Sequence, residues 1–153
     1  MSVTERAYME SPIGLLEITG DMRGIISVTL SELQDDLPDP AMDTVLMCLE
    51  QLGEYFAKKR REFELPMAVN GTPFQKSVWK RIADVPFGQT ITYGIIARDL
   101  GMNGGAQAVG SAVGANPVCI IVPCHRIVAS NHMGGYAYGV ERKEWLLKHE
   151  NDQ

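Results

Sequence analysis

Long apolar runs are missing from this sequence of 153 residues. No stretch approaches the ~18 apolar residues that a transmembrane helix requires, and the start, Met-Ser-Val-Thr-Glu-Arg, lacks the basic and then apolar layout of a secretory signal peptide. The hydrophobic fraction of 45% and the charged fraction of 22% are ordinary for a globular protein, and the length is sufficient to bury a core. We therefore expect a cytoplasmic protein that does not associate with membranes.

Cysteine and histidine are also scarce, with three residues of each type. Cys48, Cys119 and Cys124 are an odd number without framework spacing, which favours reduced thiols over disulfides. The spacings Cys-x-x-Cys and His-Glu-x-x-His, which are typical of zinc sites, do not occur. His132 and His149 are isolated along the chain and are interpreted as surface or packing residues. We expect neither a metal nor a cofactor.

Negative charge is concentrated in the first part of the chain, although the net charge of the whole is only -5. Residues 1–65 carry six Lys or Arg against thirteen Asp or Glu, a balance of -7, whereas residues 66–153 carry eight against six, a balance of +2. This asymmetry is compatible with a polyanionic partner for the second part. A balance of +2 is common, so charge alone does not identify a nucleic-acid-binding protein.

The first 65 residues predict a small antiparallel sheet covered by one helix. Alternating apolar residues flank a Ser-Pro-Ile-Gly turn signal at residues 11–14, and residues 24–30 are rich in β-branched side chains. Apolar residues recur at helical spacing from Met42 to Lys59, and the basic run at residues 58–61 is expected to end that helix with charges that suit its negative pole. A linker at residues 62–71 places the domain boundary after residue 65.

Residues 66–153 are predicted to be mainly helical and to contain a helix-turn-helix. A Thr-Pro start signal predicts a helix from residue 72 to about residue 83. Residues 92–101 predict a short helix closed by glycine, and residues 106–114 predict a second helix of small side chains. Two short helices across a glycine turn are typical of a DNA-binding helix-turn-helix. Tight packing inside a core uses the same small residues, and the residues alone favour that alternative. The predicted fold class is α+β.

One cysteine lies where it could be a nucleophile. Residues 118–122 are an apolar, β-branched run that ends at a proline, which predicts a buried strand stopping just before Cys124. His125 and Arg126 follow, and an electropositive setting lowers the pKa of a thiol and favours the nucleophilic thiolate. An inert buried cysteine fits the same residues, because side chains adjacent in sequence need not face each other. The glycine-rich residues 133–139 fit either a loop around a flat ligand or a flexible turn.

The second half of the chain resembles the O6-alkylguanine-DNA alkyltransferases, also called methylated-DNA-protein-cysteine methyltransferases. The resemblance rests on Asn-Pro, Pro-Cys-His-Arg, Gly-Tyr and Glu-Trp-Leu-Leu-x-x-Glu motifs at residues 116–117, 123–126, 135–136 and 144–150. It runs from residue 72 to residue 150, and the first half is similar to the N-terminal subdomain of that family. The resemblance implies a monomeric repair protein that flips an O6-alkylated guanine out of double-stranded DNA and moves the alkyl group irreversibly onto its own cysteine.

The resemblance implies catalytic roles for five residues. Cys124 would accept the alkyl group, His125 would deprotonate it through a water molecule, and Glu150 would hold the imidazole. Asn116 would orient the turn around the active site. Tyr93 would assist base flipping and would donate a proton to the departing base.

The resemblance also implies contacts with the extruded base and the DNA. Tyr136 would wall the base pocket, and the backbone around Val122 and Cys124 would read the guanine edge. The remaining residues assigned to the base or the DNA are Ala106, Gln107, Arg126, Ala137 and Tyr138.

Two positions depart from the family pattern. Gln107 stands where the family commonly has an arginine that enters the base stack. Glutamine can hydrogen-bond the orphaned cytosine but lacks the planar, charged guanidinium, so we expect weaker or more salt-sensitive DNA binding. Tyr138, after Ala137, stands where small residues are usual, and we expect it to narrow the pocket against bulky adducts such as benzyl.

Two other functions fit parts of the pattern. A damage sensor related to the alkyltransferases binds alkylated bases without reacting; such proteins replace the motif cysteine, which is present here as Cys124, but Gln107 keeps this alternative open. A cysteine hydrolase that uses Cys124, His125 and Glu150 would turn over on small esters or peptides, whereas an alkyltransferase is consumed by its reaction.

Overall fold

The computed structural model describes residues 3–151, which form two compact units. The first unit ends at Asn70 and the second begins at Gly71. None of the helices in the described residues is both long and apolar enough to span a membrane.

The first unit contains a three-stranded antiparallel sheet. Its strands are β1 (Glu5–Ser11), β2 (Gly14–Asp21) and β3 (Gly24–Ser31), paired in the order β1-β2-β3. The turn between β2 and β3 requires glycine at residue 24. Gly24 has φ of +155°, and an added Cβ would lie 2.4 Å from the carbonyl oxygen of Pro66. Alternate residues of β2, such as Leu16 and Ile18, are fully buried, as the alternating pattern predicts.

Helix α1 (Asp43–Phe56) packs against this sheet through Val45, Cys48 and Leu52, which are fully buried. The helix is shorter than the predicted span of 42–59, because Lys58 has φ of +62°, which a right-handed helix excludes. The basic run therefore lies beyond the last turn, and its backbone ends the helix as predicted, because the Lys59 amide donates to the Glu54 carbonyl at 2.8 Å.

Residues 66–68 belong to the first unit. The Ile25 amide donates to the Pro66 carbonyl and the Ala68 amide donates to the Ile25 carbonyl, both at 2.8 Å. The structural units therefore divide after residue 70, whereas the sequence places a boundary after residue 65. The assignment of separate functions to the two parts stays a prediction.

The second unit is mainly helical and contains the predicted helix-turn-helix. Its helices are α2 (Pro73–Ala83), α3 (Tyr93–Asp99), α4 (Ala106–Gly114) and α5 (Val140–Asn151). Thr72 caps α2 in a capping box with Gln75, as the Thr-Pro start signal predicts. The turn between α3 and α4 uses glycines with positive φ at residues 101 and 104. The predicted α+β fold class is confirmed.

Two very short strands complete the second unit. Strand β4 (Ile91–Thr92) and strand β5 (Ile127–Val128) pair in parallel, and a single 3₁₀ turn, Cys124–Arg126, immediately precedes β5. We call this turn the cysteine turn.

The strand predicted at residues 118–122 is wrong. Ile120 has φ of +71°, which extended backbone excludes. The segment folds back on itself, because the Val122 amide donates to the Val118 carbonyl at 3.0 Å and the Ile121 amide donates to the Cys119 carbonyl at 2.8 Å. The apolar run reflects burial, since Val118, Cys119 and Ile120 are almost completely buried, rather than strand geometry.

Candidate active site

Cys124 lies at a cavity of about 250 Å³ in the second unit. It is the first residue of the cysteine turn, and only 5% of its surface is exposed. The cavity is lined by residues from α3, α4, the cysteine turn and the loop before α5: Tyr93, Gly110, Val113, Gly114, Cys124, Gly135, Tyr136 and Ala137. Four predicted site residues, Cys124, Tyr93, Tyr136 and Ala137, are thus brought together around one space.

A larger cavity, of about 430 Å³, lies in the first unit between β1 and residues 34–40. Its lining includes Arg6 and Asp35, which form an ion pair at 2.8 Å, but it includes neither cysteine nor histidine. Of these two cavities, the one that Cys124 lines is therefore the candidate for nucleophilic chemistry.

Glu150 joins α5 to the cysteine turn through a buried cluster of charges. Its Oε2 lies 2.6 Å from Nε2 of His125 and accepts a hydrogen bond of 3.0 Å from Nη2 of Arg126. Its Oε1 accepts from Nε of Arg126 at 2.8 Å and from the Gly88 amide at 3.3 Å. Both side-chain oxygens of Glu150 are therefore engaged in a region closed to solvent.

The charge state of this cluster follows from its contacts. Burial would raise the pKa of Glu150, but hydrogen bonds from His125 and Arg126 outweigh it and hold the pKa below its usual range. Burial lowers the pKa of His125, which therefore stays neutral near neutral pH. Since an ionised carboxylate only accepts, Nε2 of the imidazole carries the proton and Nδ1 presents a lone pair. Nδ1 is buried and has no hydrogen-bond partner within residues 3–151.

The Cys124 thiol is not activated in the way that its neighbours suggest. Burial raises its pKa, and a hydrogen bond from Asn116 and the charge of Lys143 oppose that rise only in part. The predicted lowering of the pKa is therefore wrong, because burial outweighs the neighbouring charges.

Asn116 ties together the backbone that precedes the cysteine. Its Nδ2 donates to the Val122 carbonyl at 2.8 Å, and its Oδ1 accepts from the Val118 amide at 3.0 Å. These bonds hold the two ends of the folded-back segment 118–122. The role of Asn116 in orienting the turn around a reaction site stays a prediction.

Arg126 is placed differently from a DNA-binding residue. It is 5% exposed, its Nε and Nη2 donate to Glu150, and its Nη1 donates to the Val85 carbonyl at 2.7 Å. Its guanidinium also lies 5.7 Å from the ring centre of Phe87. In this structure Arg126 is therefore an internal partner of Glu150, with its guanidinium nitrogens directed inward.

Of the three tyrosines predicted for the site, Tyr93 and Tyr136 line the cavity, whereas Tyr138 is not one of its lining residues. Residue 134 favours glycine for two reasons. Gly134 has φ of +77°, and a Cβ added to it would lie 3.0 Å from the Tyr93 hydroxyl oxygen. Burial, with the charge of Cys124, raises the pKa of Tyr93. Tyr136 and Tyr138 pack edge to face with ring centres 5.8 Å apart. Burial raises the pKa of Tyr138 to about 12.

Ala106 and Gln107 lie apart from the buried cluster, on the exposed first turn of α4. Gly110 and Gly114 lie further along the same helix and line the pocket. One helix therefore presents small side chains both to solvent and to the cavity of Cys124. No group of three or more potential metal ligands occurs within the described part of the chain.

Lys143 was not predicted as a site residue. It is fully buried, and its Nζ donates to the Ile127 carbonyl at 2.6 Å and to the Gly135 carbonyl at 2.9 Å. A signal for it was present in the sequence, because Lys143 precedes the inward-facing Leu146 by three residues and Glu150 by seven, spacings that share one helix face.

Two family profiles together match nearly the whole chain. The DNA-binding domain of 6-O-methylguanine DNA methyltransferase matches residues 73–152, and the ribonuclease-like domain of the same protein matches residues 5–69. The chain belongs to the 6-O-methylguanine DNA methyltransferase family. The resemblance stated from the motifs is thereby confirmed.

Relatives in the 6-O-methylguanine DNA methyltransferase family are similar over different lengths. A methylated-DNA-protein-cysteine methyltransferase of Methanosarcina acetivorans is 40% identical over 150 residues, which cover 94% of this chain and 96% of that protein. One of Shigella flexneri is 52% identical over 103 residues, which cover 66% of this chain but only 60% of that protein.

Solved structures of this family share the fold. The crystal structure of the Mycobacterium tuberculosis O6-methylguanine methyltransferase superposes with a TM-score of 0.88 at 36% identity, covering 98% of this chain and 94% of that one. A structure of Mycobacterium tuberculosis OGT in complex with DNA gives 0.85 at 37% identity, covering 95% and 91%.

Removing the negative charge of Glu150 is expected to destabilise the protein strongly. Glu150→Gln should lower the free energy of unfolding by about 3 kcal/mol, because the buried guanidinium of Arg126 loses its counter-charge. Urea unfolding followed by tryptophan fluorescence measures the change. Glu144→Gln, an exposed glutamate on the same helix, serves as the control and should have little effect. Equal unfolding midpoints for the two variants would contradict the role given to Glu150.

Proposed function

We propose that this protein repairs DNA by transferring the alkyl group of an O6-alkylguanine to Cys124 in a single-turnover reaction. The observation that carries this proposal is that one cysteine lines a cavity and is followed in the chain by a histidine whose ring is held by a buried glutamate. Family membership supports the same chemistry, since the relatives are named methylated-DNA-protein-cysteine methyltransferases. The substrate and the partner, alkylated double-stranded DNA, are part of the proposal.

The reaction balances with the groups that the site contains. The Cys124 proton passes to Nδ1 of His125, through a water molecule, and the sulfur attacks the alkyl carbon. A carbon–sulfur bond forms while the bond between that carbon and O6 of guanine breaks, and the electron pair remains on the guanine. Tyr93 donates a proton to the guanine and recovers one from the imidazolium. Glu150 stabilises the imidazolium while it exists.

The raised pKa of Tyr93 fits this order of events. Its hydroxyl stays protonated in the resting site, and it shares the cavity with the sulfur. A phenol that keeps its proton until negative charge develops on the guanine acts as a general acid. The base becomes a better leaving group only when the transfer is under way.

The product explains why one molecule would act once. The thiolate is a poor leaving group from the thioether formed at Cys124, so none of the proposed steps breaks the new carbon–sulfur bond and restores the thiol. Since Cys124 is only 5% exposed, the alkyl group would also remain enclosed by the cavity. The protein is therefore consumed as a reagent in the proposed reaction.

Base flipping follows from where the sulfur lies. A reacting atom at the inner end of a cavity cannot reach a base inside a duplex, so the nucleotide must be extruded at a cost of a few kcal/mol. Helix α4 supports this because it is the second helix of the helix-turn-helix and also forms a cavity wall through Gly110 and Gly114. A groove-bound α4 would bring the damaged strand beside the pocket.

The decisive experiment is intact mass spectrometry after incubation with a duplex oligonucleotide containing O6-methylguanine. We expect a gain of one methyl group per chain, located at Cys124 by peptide mapping and absent in Cys124→Ser. Cys48→Ser is the matched control and should still gain the methyl group, because the Cys48 thiol is buried and has its pKa raised to about 12. Tight binding without a mass change would indicate a damage sensor, and repeated product release would indicate a hydrolase; either result would overturn the proposal.

Because Gln107 stands where the family commonly has an arginine, we expect the protein to bind DNA weakly. Gln107→Arg should tighten binding to duplex DNA by about tenfold at moderate salt, because a guanidinium stacks on bases and attracts phosphate. Binding isotherms at several salt concentrations measure the effect. Gln34→Arg adds the same charge at another exposed glutamine, in the first unit, and should change the affinity less. Equal gains from the two variants would show that charge alone matters and that the position on α4 does not.

Tyr138 predicts selectivity against bulky adducts. The wild-type protein should react with a benzylguanine reagent more slowly than with a methylated oligonucleotide, because Tyr138 packs against the ring of Tyr136, which lines the cavity, and limits how far that ring can yield to a bulky adduct. Tyr138→Gly should raise the benzyl rate by about tenfold, within the range by which pocket size discriminates between ligands. Tyr138→Phe keeps the ring and should preserve the selectivity. Labelling of the wild type by benzylguanine as fast as by the methylated oligonucleotide would refute this role.

A further inference from the structure

Lys143 is a charged side chain held entirely inside the second unit. Its Nζ donates to the Ile127 carbonyl at 2.6 Å and to the Gly135 carbonyl at 2.9 Å. Ile127 follows the cysteine turn directly, and Gly135 lines the cavity. One ammonium group thus connects the segment that carries the nucleophile to the loop that walls the pocket.

This ammonium has no carboxylate partner within residues 3–151. The buried carboxylate of the same helix, Glu150, bonds instead to His125 and Arg126. An unpaired buried charge is costly unless it is hydrogen-bonded or meets an opposite charge. Two carbonyls supply the first requirement, and the sulfur of Cys124, when ionised, supplies the second.

Electrostatics link Lys143 to the sulfur in both directions. The charge of Lys143 acts to lower the pKa of Cys124, and a negative charge on Cys124 acts to raise that of Lys143. Burial lowers the pKa of Lys143 to about 8, so it remains largely protonated at neutral pH. Its protonated form is the one that both the carbonyls and a thiolate favour.

The other titratable groups near the sulfur do not replace this charge. Tyr93 and Tyr138 have raised pKa values and stay neutral, and His125, which also faces Lys143, is neutral in the resting site. Arg126 is committed to Glu150. Lys143 is therefore the cation in this region that can respond to ionisation of Cys124.

We propose that Lys143 is a positioning residue of this site, whose buried ammonium holds the Gly135 loop against the segment after the cysteine turn and favours ionisation of the Cys124 sulfur. The inference rests on the proposed function, in which that sulfur is the nucleophile. Lys143 would then activate the Cys124 sulfur in addition to His125. The thiol proton passes to the imidazole, while the ammonium of Lys143 stabilises the negative charge left on the sulfur.

The test measures the sulfur without DNA. The rate at which iodoacetamide modifies Cys124, located by peptide mapping, is recorded from pH 6 to pH 10 for the wild type and for Lys143→Gln and Lys143→Met. We expect both variants to react about tenfold more slowly at pH 7, because a nearby opposite charge shifts a pKa by about one unit or more, and to approach the wild-type rate above pH 8, where Lys143 of the wild type also loses its charge. Lys148→Gln, an exposed lysine on the same helix, should follow the wild-type profile.

The two variants separate the effect of the positive charge from the effect of the hydrogen bonds to the Ile127 and Gly135 carbonyls. Glutamine is neutral but can still donate to one of the two carbonyls, whereas methionine can do neither. If Lys143 acts through its charge, the two variants share the slower iodoacetamide reaction at pH 7. Methyl transfer from DNA is then slower in Lys143→Met than in Lys143→Gln, because the loop at Gly135 is also released. Wild-type profiles in folded variants would overturn the inference.

A second measurement needs no variant and covers the case in which the substitutions prevent folding. The titration midpoint of Lys143 Nζ is located by nuclear magnetic resonance in the wild type, and the logarithm of the iodoacetamide rate at Cys124 is plotted against pH. We expect this plot to flatten at the Lys143 midpoint, because the sulfur ionises less readily once Lys143 is neutral. A straight rise through that midpoint would refute the coupling. If the coupling is present but DNA never methylates Cys124, the proposed function fails alone; if methyl transfer occurs without the coupling, only this inference fails.

Discussion

The candidate active site depends on the contacts that the buried carboxylate of Glu150 makes with His125 and Arg126. Taking a charge out of water costs several kcal/mol, and this cost is offset only when the geometry satisfies the buried group completely. Glu150 meets that condition, because His125, Arg126 and the Gly88 amide occupy its two oxygens. The cluster joins α5, the cysteine turn and the loop before β4, so one carboxylate fixes three segments that are distant in sequence.

This cluster also determines the chemistry of the resting site. An ionised Glu150 places the imidazole proton on Nε2 and leaves the lone pair of Nδ1 inside the protein. Burial raises the pKa of the Cys124 thiol, so the nucleophile is mostly protonated until a substrate arrives. A neutral thiol is much less prone to side reactions than a thiolate. If Cys124 is consumed by a single transfer, as we propose, the protonated state protects it before the substrate arrives.

The sequence anticipated more of the secondary structure than of the site. Helix α4 begins and ends at the predicted residues, and α2 has the predicted cap, because small-residue periodicity and a Thr-Pro start are local signals. The segment before Cys124 was mistaken for a strand, since a buried apolar run does not reveal a left-handed residue such as Ile120. The inward orientation of Arg126 and the buried Lys143 depend on tertiary contacts, which neither motif spacing nor composition encodes.

The location of Glu150 in the last turn of α5 has a mechanical consequence. Helix termini fray because their final carbonyls lack intrahelical partners, and a frayed last turn would withdraw the carboxylate from the imidazole. The contact with Arg126 pins that turn, so opening of the C-terminal turn and loss of a correctly oriented base become the same event. Local melting at this terminus would therefore disable the proposed sulfur chemistry.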